Sequence, residues 1–300
     1  MDQPVAKMGT LPEVEKFKAN PREIKNQVLK RFLKRKVSIV GGIIIIIFVI
    51  TAIFGPLFAP YDPLQQDLAN NFQGASAEHW LGTDNLGRDT LSRLIYGARI
   101  SLEISMASVG LALIVGLVLG VTAGYYGGKI ETLIMRFIDI LLAFPGILLA
   151  IVIVAVLGNG LVNTMMAVAI FSVPDFARII RASVISLKEM EYIEACKAAG
   201  ASNLRIILRH IIPNSLSPVI VQTTLMMGTA ILTASGLSFI GLGVQPPNPE
   251  WGAMLSKARE LLRSAPLAAI APGTAITLVV LSFSLVGDGL RDALDPKLKN

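Results

Sequence analysis

The sequence contains few charged residues, a single cysteine and only two histidines. Charged side chains make up 16% of its 300 residues and hydrophobic ones 53%, whereas soluble domains carry roughly 25% charged residues. Its one cysteine, Cys196, excludes a disulfide framework and a cysteine-rich metal site. His79 and His210 lie far apart in the sequence, which argues against a histidine metal site. These shortages exclude an ordinary soluble enzyme, a disordered chain and a nucleic-acid-binding protein, and they indicate a membrane protein.

The net charge of +6 comes entirely from the N-terminal segment. Residues 1–36 contain ten Lys or Arg and four Asp or Glu, and the remaining residues contain seventeen of each sign. A basic block directly before the first apolar run is typical of a segment retained in the cytoplasm. Residues 1–36 are therefore predicted to be a basic cytoplasmic segment.

Long uncharged runs predict six transmembrane helices, because about 20 apolar residues are needed to cross a bilayer. The longest runs need a break, and the tight turn Gly158-Asn159-Gly160 divides one of them into two helices. The predicted crossings are, approximately, residues 37–59, 104–128, 132–157, 161–182, 215–240 and 266–287. Six crossings make the chain an all-α polytopic membrane protein with both the N-terminus and the C-terminus in the cytoplasm.

This topology divides the remaining residues between the two sides of the membrane. Residues 60–98 are predicted to be extracytoplasmic, and 183–213 to be the long cytoplasmic loop. Residues 99–290 then form a core with five transmembrane helices, and 291–300 form a cytoplasmic tail.

The predicted helix centres lack the ionisable residues that ion-driven carriers place at mid-membrane depth. Arg136 and Asp139, three residues apart, are expected to pair on one helical face near the cytoplasmic boundary. The chain contains no HExxH or GxSxG motif, and no GxxxxGK[ST] motif for binding ATP. An ion-coupled secondary transporter and a membrane-embedded enzyme are therefore disfavoured, and the energy for any transport must come from another protein.

Three glycines, Gly116, Gly120 and Gly124, recur every four residues in the second predicted helix. Such a stripe lets another helix approach closely in lipid. The helix that approaches this stripe belongs either to the same chain or to another subunit.

The cytoplasmic loop contains a short helical segment with small residues on one side. Gly200 is expected to end this helix, Ser202-Asn203 to cap a second one, and Pro213 to end that second helix. The small residues Ala195, Ala198 and Ala199 lie between charged positions. This helix either fits into a groove of a partner protein or lies on the lipid surface as an amphipathic helix.

The run 194–200, with the sequence Glu-Ala-Cys-Lys-Ala-Ala-Gly, and the following Ile211-Ile212-Pro213 resemble the EAA loop of ABC-importer membrane subunits. Cys196 stands where the family usually has a second alanine. In that family the loop is the coupling helix that docks on the ATPase subunit. The residues to which the resemblance assigns this role are Glu191, Glu194, Ala195, Cys196, Ala198, Ala199 and Gly200.

Three further segments, 81–99, 239–255 and 287–296, resemble the dipeptide/oligopeptide/nickel branch of that family and point to a C-type subunit. The first two are outer segments, which in this family meet the extracytoplasmic binding protein. Candidates for that contact or for an outer gate are Arg88, Asp89, Arg99 and Trp251. Capping and ion pairs within the chain are the alternative for the charged residues, and Trp251 is expected to be an interfacial aromatic anchor.

The resemblance implies the type I importer permease fold and a transport subunit without enzymatic activity of its own. The implied partners are a homologous second permease subunit, forming a heterodimer, two ATPase subunits, an extracytoplasmic substrate-binding protein, a peptide substrate and the lipid bilayer, with no nucleic acid. No metal or cofactor is expected on this chain, since ATP and Mg belong to the ATPase subunits. The implied location is the cytoplasmic membrane of a prokaryote. A nickel complex or another small solute is the alternative cargo.

Overall fold

The computed structural model of the chain describes residues 21–259, 262 and 265–294, and within those residues it is helical without a β-strand. The helices are α1 Pro21–Lys34, α2 Lys36–Phe58, α3 Thr90–Tyr126, α4 Gly128–Leu142, α5 Gly146–Leu157, α6 Leu161–Lys188, α7 Glu191–Ala198, α8 Asn203–Ile206, α9 Ile212–Phe239, α10 Trp251–Ala258 and α11 Leu267–Leu294. Residues 1–20 of the predicted basic segment and 295–300 of the predicted tail lie outside the described residues.

Four helical stretches are long and apolar enough to cross a membrane, and a fifth is present if α4 and α5 form one span. The four are α2, α3, the continuous stretch Asn203–Phe239 and α11. Helix α6 has sufficient length but carries Asp175, Arg178 and Arg181. The chain is thus an all-α, multi-pass protein, and the count of six crossings stays a prediction.

The prediction of a single straight helix over 132–157 is wrong, because the structure contains two helices there, α4 and α5, with a bend of 90° between them. The bend lies at residues 143–145, and Pro145 directly precedes α5. Proline lacks an N–H group for the helical ladder and disfavours helical geometry in the residue before it. The sequence interpretation placed the break only at Gly158-Asn159-Gly160, where α5 does end and α6 begins.

The prediction that Pro213 ends a helix is also wrong. Helices α8 and α9 are joined by a π-helical turn, Ile207–Ile211, into one stretch of 37 residues. This wider turn makes room for the ring of Pro213, two residues after its end. The Asn214 side chain donates a hydrogen bond to the His210 carbonyl at 2.6 Å.

The main core lies where α3, α6 and α9 pack together, and the glycine stripe forms the contact between α3 and α6. A Cβ atom at Gly120 would lie 2.9 Å from the Ile180 Cβ, and one at Gly124 would lie 2.8 Å from the Val184 Cβ. Real Cβ atoms essentially never approach so closely. Of the two possibilities left by the sequence, the structure therefore shows packing within this chain.

The two ends of the described chain meet on one side of the bundle. The Arg35 guanidinium pairs with the Asp292 carboxylate at the end of α11, and the Ser38 hydroxyl donates to the Leu285 carbonyl at 2.9 Å. Helix α2 thus packs along α11, the helix farthest from it in the sequence. An even number of crossings would place both ends together in this way, although the side of the membrane they face stays a prediction.

Candidate functional site

Helix α7 lies against the bundle through one buried residue, Ile193, which belongs to the main core. It begins directly after Met190 and carries Glu191 and Glu194 in its first turn. Negative side chains at this end interact favourably with the helix dipole. Only Glu189 and Met190 separate α7 from α6, so the short helix is linked closely to a long one.

The predicted end of α7 and the predicted cap of α8 are both confirmed. Gly200 has a φ of +79°, a left-handed conformation that glycine adopts at little cost. The Ser202 side chain then accepts a hydrogen bond from the Arg205 backbone N–H. The Tyr125 hydroxyl at the end of α3 donates to the Asn203 side chain at 2.9 Å, which ties α8 to the core.

The inner side of α7 also contacts the start of the long helix that contains α9. The Cys196 Sγ lies 3.8 Å from the His210 Nε2, and the rings of Tyr192 and His210 lie 6.3 Å apart. The Asn214 Nδ2 lies 3.5 Å from the Tyr192 hydroxyl. Of the predicted coupling residues, Cys196 is therefore the one turned partly toward the bundle.

The remaining predicted coupling residues are all exposed, and we call them the α7 surface: Glu191, Glu194, Ala195, Ala198, Ala199 and Gly200. Positions 191, 194, 195 and 198 follow the spacing of a single helical face. The small alanine side chains leave the backbone of α7 open to close approach. Docking of this surface on a partner protein stays a prediction.

Two ion pairs fix α4 to the C-terminal half of α6. The Arg178 Nη2 donates to Asp139 at 2.7 Å, and the Arg181 Nε donates to Glu131 at 2.8 Å. The predicted pair between Arg136 and Asp139 is therefore wrong, since Asp139 is bound by Arg178 instead. Sequence reasoning missed these contacts between helices, and the only available signal was opposite charge within otherwise apolar segments.

On the opposite side, Asp84 organises the segment that leads into α3. Its carboxylate accepts hydrogen bonds from the backbone N–H groups of Leu86 and Arg88, at 2.8 and 3.0 Å, and from the Arg88 Nε at 2.7 Å. The Arg93 Nε lies 3.4 Å from the same carboxylate. Arg88 is consequently buried, with 6% exposure, and is not available as a surface contact.

Asp89 is likewise a structural residue. It caps α3 by accepting from the Ser92 backbone N–H and hydroxyl, both at 2.7 Å. Its other oxygen lies 2.9 Å from the His79 Nδ1. Arg88 and Asp89 are thus buried and paired within the chain, as the alternative of capping and ion pairing expects, and their part in an outer gate stays a prediction. Arg99 is exposed and keeps that role as a prediction.

The expectation that Trp251 anchors the chain at the membrane interface is also wrong, because the side chain has no exposed surface. Its Nε1 donates to the Leu94 carbonyl at 3.0 Å, and its ring meets Phe48 edge-on, with centroids 5.5 Å apart. A Cβ at Gly97 would lie 2.7 Å from the Trp251 ring, so the glycine makes room for it. Trp251 fixes α10 to α2 and α3.

The neighbouring Glu250 is fully buried and caps α10. It accepts from the backbone N–H groups of Gly252 and Ala253, at 2.9 and 2.8 Å, and from the Ser235 hydroxyl at 3.3 Å. Burial raises the pKa of its carboxyl, and these hydrogen bonds oppose the rise in part. Glu250 thereby joins the C-terminal end of α9 to α10.

Residues 116–300 match the family model described as the inner membrane component of binding-protein-dependent transport systems. The chain belongs to this family. Residues 26–75 match the N-terminal TM domain of oligopeptide transport permease C, which confirms the resemblance to C-type subunits. The family is described as an inner membrane component, and the several apolar helices of the chain agree with a multi-pass membrane protein.

Curated members of the family resemble the chain over almost its whole length. The dipeptide transport system permease protein DppC of Alkalihalophilus pseudofirmus is 54% identical over 91% of this chain and 90% of its own length. The glutathione transport system permease protein GsiD of Pectobacterium atrosepticum is 46% identical over 98% of both chains. The GsiD protein of an Escherichia coli strain is 49% identical over 90% of this chain and 89% of its own.

Solved structures show the same fold at lower sequence identity. A chain of the MetNI methionine ABC transporter, in an inward facing conformation, superposes with a TM-score of 0.54 at 19% identity, over 68% of this chain and 97% of its own. A chain of an amino acid ABC transporter gives a TM-score of 0.52 at 16% identity, over 67% and 94%. The predicted fold of an ABC-importer membrane subunit is confirmed.

Proposed function

We propose that this family member is the permease subunit of an ATP-driven importer of short peptides. The observation that carries the proposal is the similarity, over about nine-tenths of the chain or more, to permeases named for dipeptides and for glutathione. Glutathione is itself a short peptide. Two relatives with different named cargoes therefore share one chemical class of substrate.

The proposed machine contains a second, homologous permease subunit, two ATPase subunits and an extracytoplasmic binding protein, in the cytoplasmic membrane of a prokaryote. The ATPase subunits would hold ATP and Mg, so this chain has no catalytic role and needs no cofactor. The family description, which includes a binding protein and an inner membrane component, supports this assembly.

In the proposed mechanism the ATPase subunits act on the α7 surface. Its exposed small residues are supported from behind by buried Ile193. A displacement of α7 passes to α6 through the two-residue link at Glu189 and Met190, and from α6 to α4 through the Arg178 and Arg181 ion pairs. Rigid elements with two discrete arrangements are what such coupling requires.

The cargo is tested by the ATPase activity of the assembled complex, with its binding protein, in lipid. We expect di- to pentapeptides to stimulate hydrolysis and nickel chelates to leave it unchanged. Stimulation by nickel chelates alone would replace the proposed cargo while preserving the machine. A complex that is intact but indifferent to peptides would contradict the peptide assignment.

Coupling is tested by reversing charge on the α7 surface with Glu194→Lys, and by Gly200→Asp, which places a side chain at φ +79°. We expect both variants to insert and assemble in the membrane but to lose most peptide uptake. Uptake of a labelled dipeptide and membrane levels of the chain are the two measurements.

The matched control for this experiment is Glu78→Lys, which makes the same change at an exposed site before α3. That site lies at the opposite end of α3 from α7, and the control should retain uptake. Normal uptake by both α7 variants would contradict the coupling role.

A further inference from the structure

A partly enclosed cavity of about 230 Å³ lies between the segment that precedes α3 and helix α10. Three cationic residues line it: Arg88, Arg93 and Lys257. Apolar side chains, among them Pro246 and Met254, form another part of its wall. The cavity thus combines concentrated positive charge with a small apolar surface. It lies at the opposite end of α3 from the α7 surface.

The charges that line this cavity do not balance. Asp84 is its one acidic residue within the described part of the chain, and it is shared between Arg88, at 2.7 Å, and Arg93, at 3.4 Å. Arg88 and Arg93 are both buried, with 6% exposure each. Lys257 is exposed and makes no ion pair with any residue that the structure describes. Asp84 thus offsets one of the three positive charges that line the cavity, and an excess of two remains, one of them on the exposed Lys257.

A neutral donor in the same cavity also lacks a partner. Thr90 lines the cavity and is 2% exposed, and its hydroxyl Oγ1 is buried without a hydrogen-bond partner among residues 21–259, 262 and 265–294. Buried hydroxyl groups in folded proteins are nearly always paired, because leaving one unpaired costs free energy. A bound acceptor would satisfy this hydroxyl and the excess positive charge together.

We propose that this cavity binds the carboxylate of a small ligand with a short apolar body. Guanidinium groups present planar donors that match a carboxylate, the Thr90 hydroxyl donates alongside them, and Lys257 closes the open side. The apolar wall accommodates a short side chain. If the proposed function holds, the carboxyl-terminal residue of a peptide is the ligand that this chain would meet.

The test uses the full chain assembled with its partners in lipid nanodiscs. The two probes are N-acetyl-alanine and its amide, N-acetyl-alaninamide, with binding followed by saturation-transfer NMR. We expect the acid to bind and the amide to bind about tenfold more weakly, since only the acid forms charge-assisted hydrogen bonds. Lys257→Gln should weaken binding of the acid about tenfold, and Thr90→Val should weaken it less.

Arg259→Gln is the matched control, because it removes an exposed cation of the same region that does not line the cavity. Equal binding of acid and amide would overturn the proposal, as would equal losses in Lys257→Gln and Arg259→Gln. Binding of inorganic phosphate without binding of N-acetyl-alanine would overturn the ligand class. The titration involves no transport, so its outcome is independent of whether peptides stimulate hydrolysis in the complex.

Discussion

At the scale of single residues, Glu250 shows how a carboxyl group is used in a chain with so few charges. It is fully buried, yet its oxygens meet two backbone N–H groups and a serine hydroxyl. An unpaired carboxylate at this depth would be strongly destabilising. The hydrogen bonds offset the cost of burying the carboxyl group, and they also fix the first turn of α10.

Glu250 gives the stability of the chain a pH dependence of known sign. Because burial raises the pKa of this carboxyl above its ordinary 4.5, the folded chain binds the proton more tightly than the unfolded chain does. The resulting stabilisation is fully present below about pH 4.5 and is lost as the pH rises through the raised pKa. We expect Glu250→Gln, which keeps an acceptor oxygen, to remove this dependence.

Thermal unfolding of the chain in detergent, from below about pH 4.5 upward, measures the effect. Glu250→Ala should also lose this pH dependence, and it should cost about 1 kcal/mol because it removes the cap. The control Glu78→Gln removes an exposed carboxyl and should leave the profile unchanged. The assignment fails if Glu250→Gln shows the same pH profile as the unmodified chain.

The sequence could not reveal that Arg88, Asp89 and Trp251 are internal. Their partners lie on other elements: the Trp251 ring meets Phe48 of α2, and its N–H meets the carbonyl of Leu94. A motif shows which residue types occur together, but their exposure depends on what packs over them. The caps at Gly200 and Ser202 were predictable because capping depends on residues within a few positions.

At the scale of elements, the contact between α3 and α6 depends on the small size of three glycines. We expect Gly120→Leu to destabilise the chain by about 1–3 kcal/mol or more, because its side chain would overlap the Ile180 position. Thermal unfolding in detergent and the level of folded chain in the membrane are the measurements.

Gly110→Leu is the control in the same helix, since a Cβ there has no neighbouring atom within 4 Å. This variant should unfold close to the unmodified chain. Equal destabilisation by the two substitutions would mean that a large side chain at any glycine of α3, and not the contact with α6, determines the loss.

The helices themselves were predictable to different degrees. Uncharged runs located α2, α3 and α11, because length and hydropathy are properties of one segment. The bend before Pro145 and the π-helical turn before Pro213 were missed. A proline in an apolar run is compatible with a stop, a bend or a widened turn, and the packing of neighbouring helices selects among them.

At the scale of the whole molecule, the chain carries the α7 surface, to which we assign the coupling, but it needs other subunits for its proposed work. We expect the purified chain alone to hydrolyse no ATP, and the assembled complex to hydrolyse it in a manner that Glu194→Lys uncouples from uptake. Release of phosphate is the measurement, with the ATPase subunits alone as a reference. Turnover by the isolated chain, after removal of contaminating ATPases, would contradict the division of labour.

The packing of α2 against α11 has a consequence for biosynthesis. Arg35 and Ser38, at the start of α2, find their partners only in α11. During translation α2 must therefore remain in lipid without this neighbour while about 200 residues follow it. The contact between α2 and α11 thus forms late, and termination before α11 leaves α2 without it.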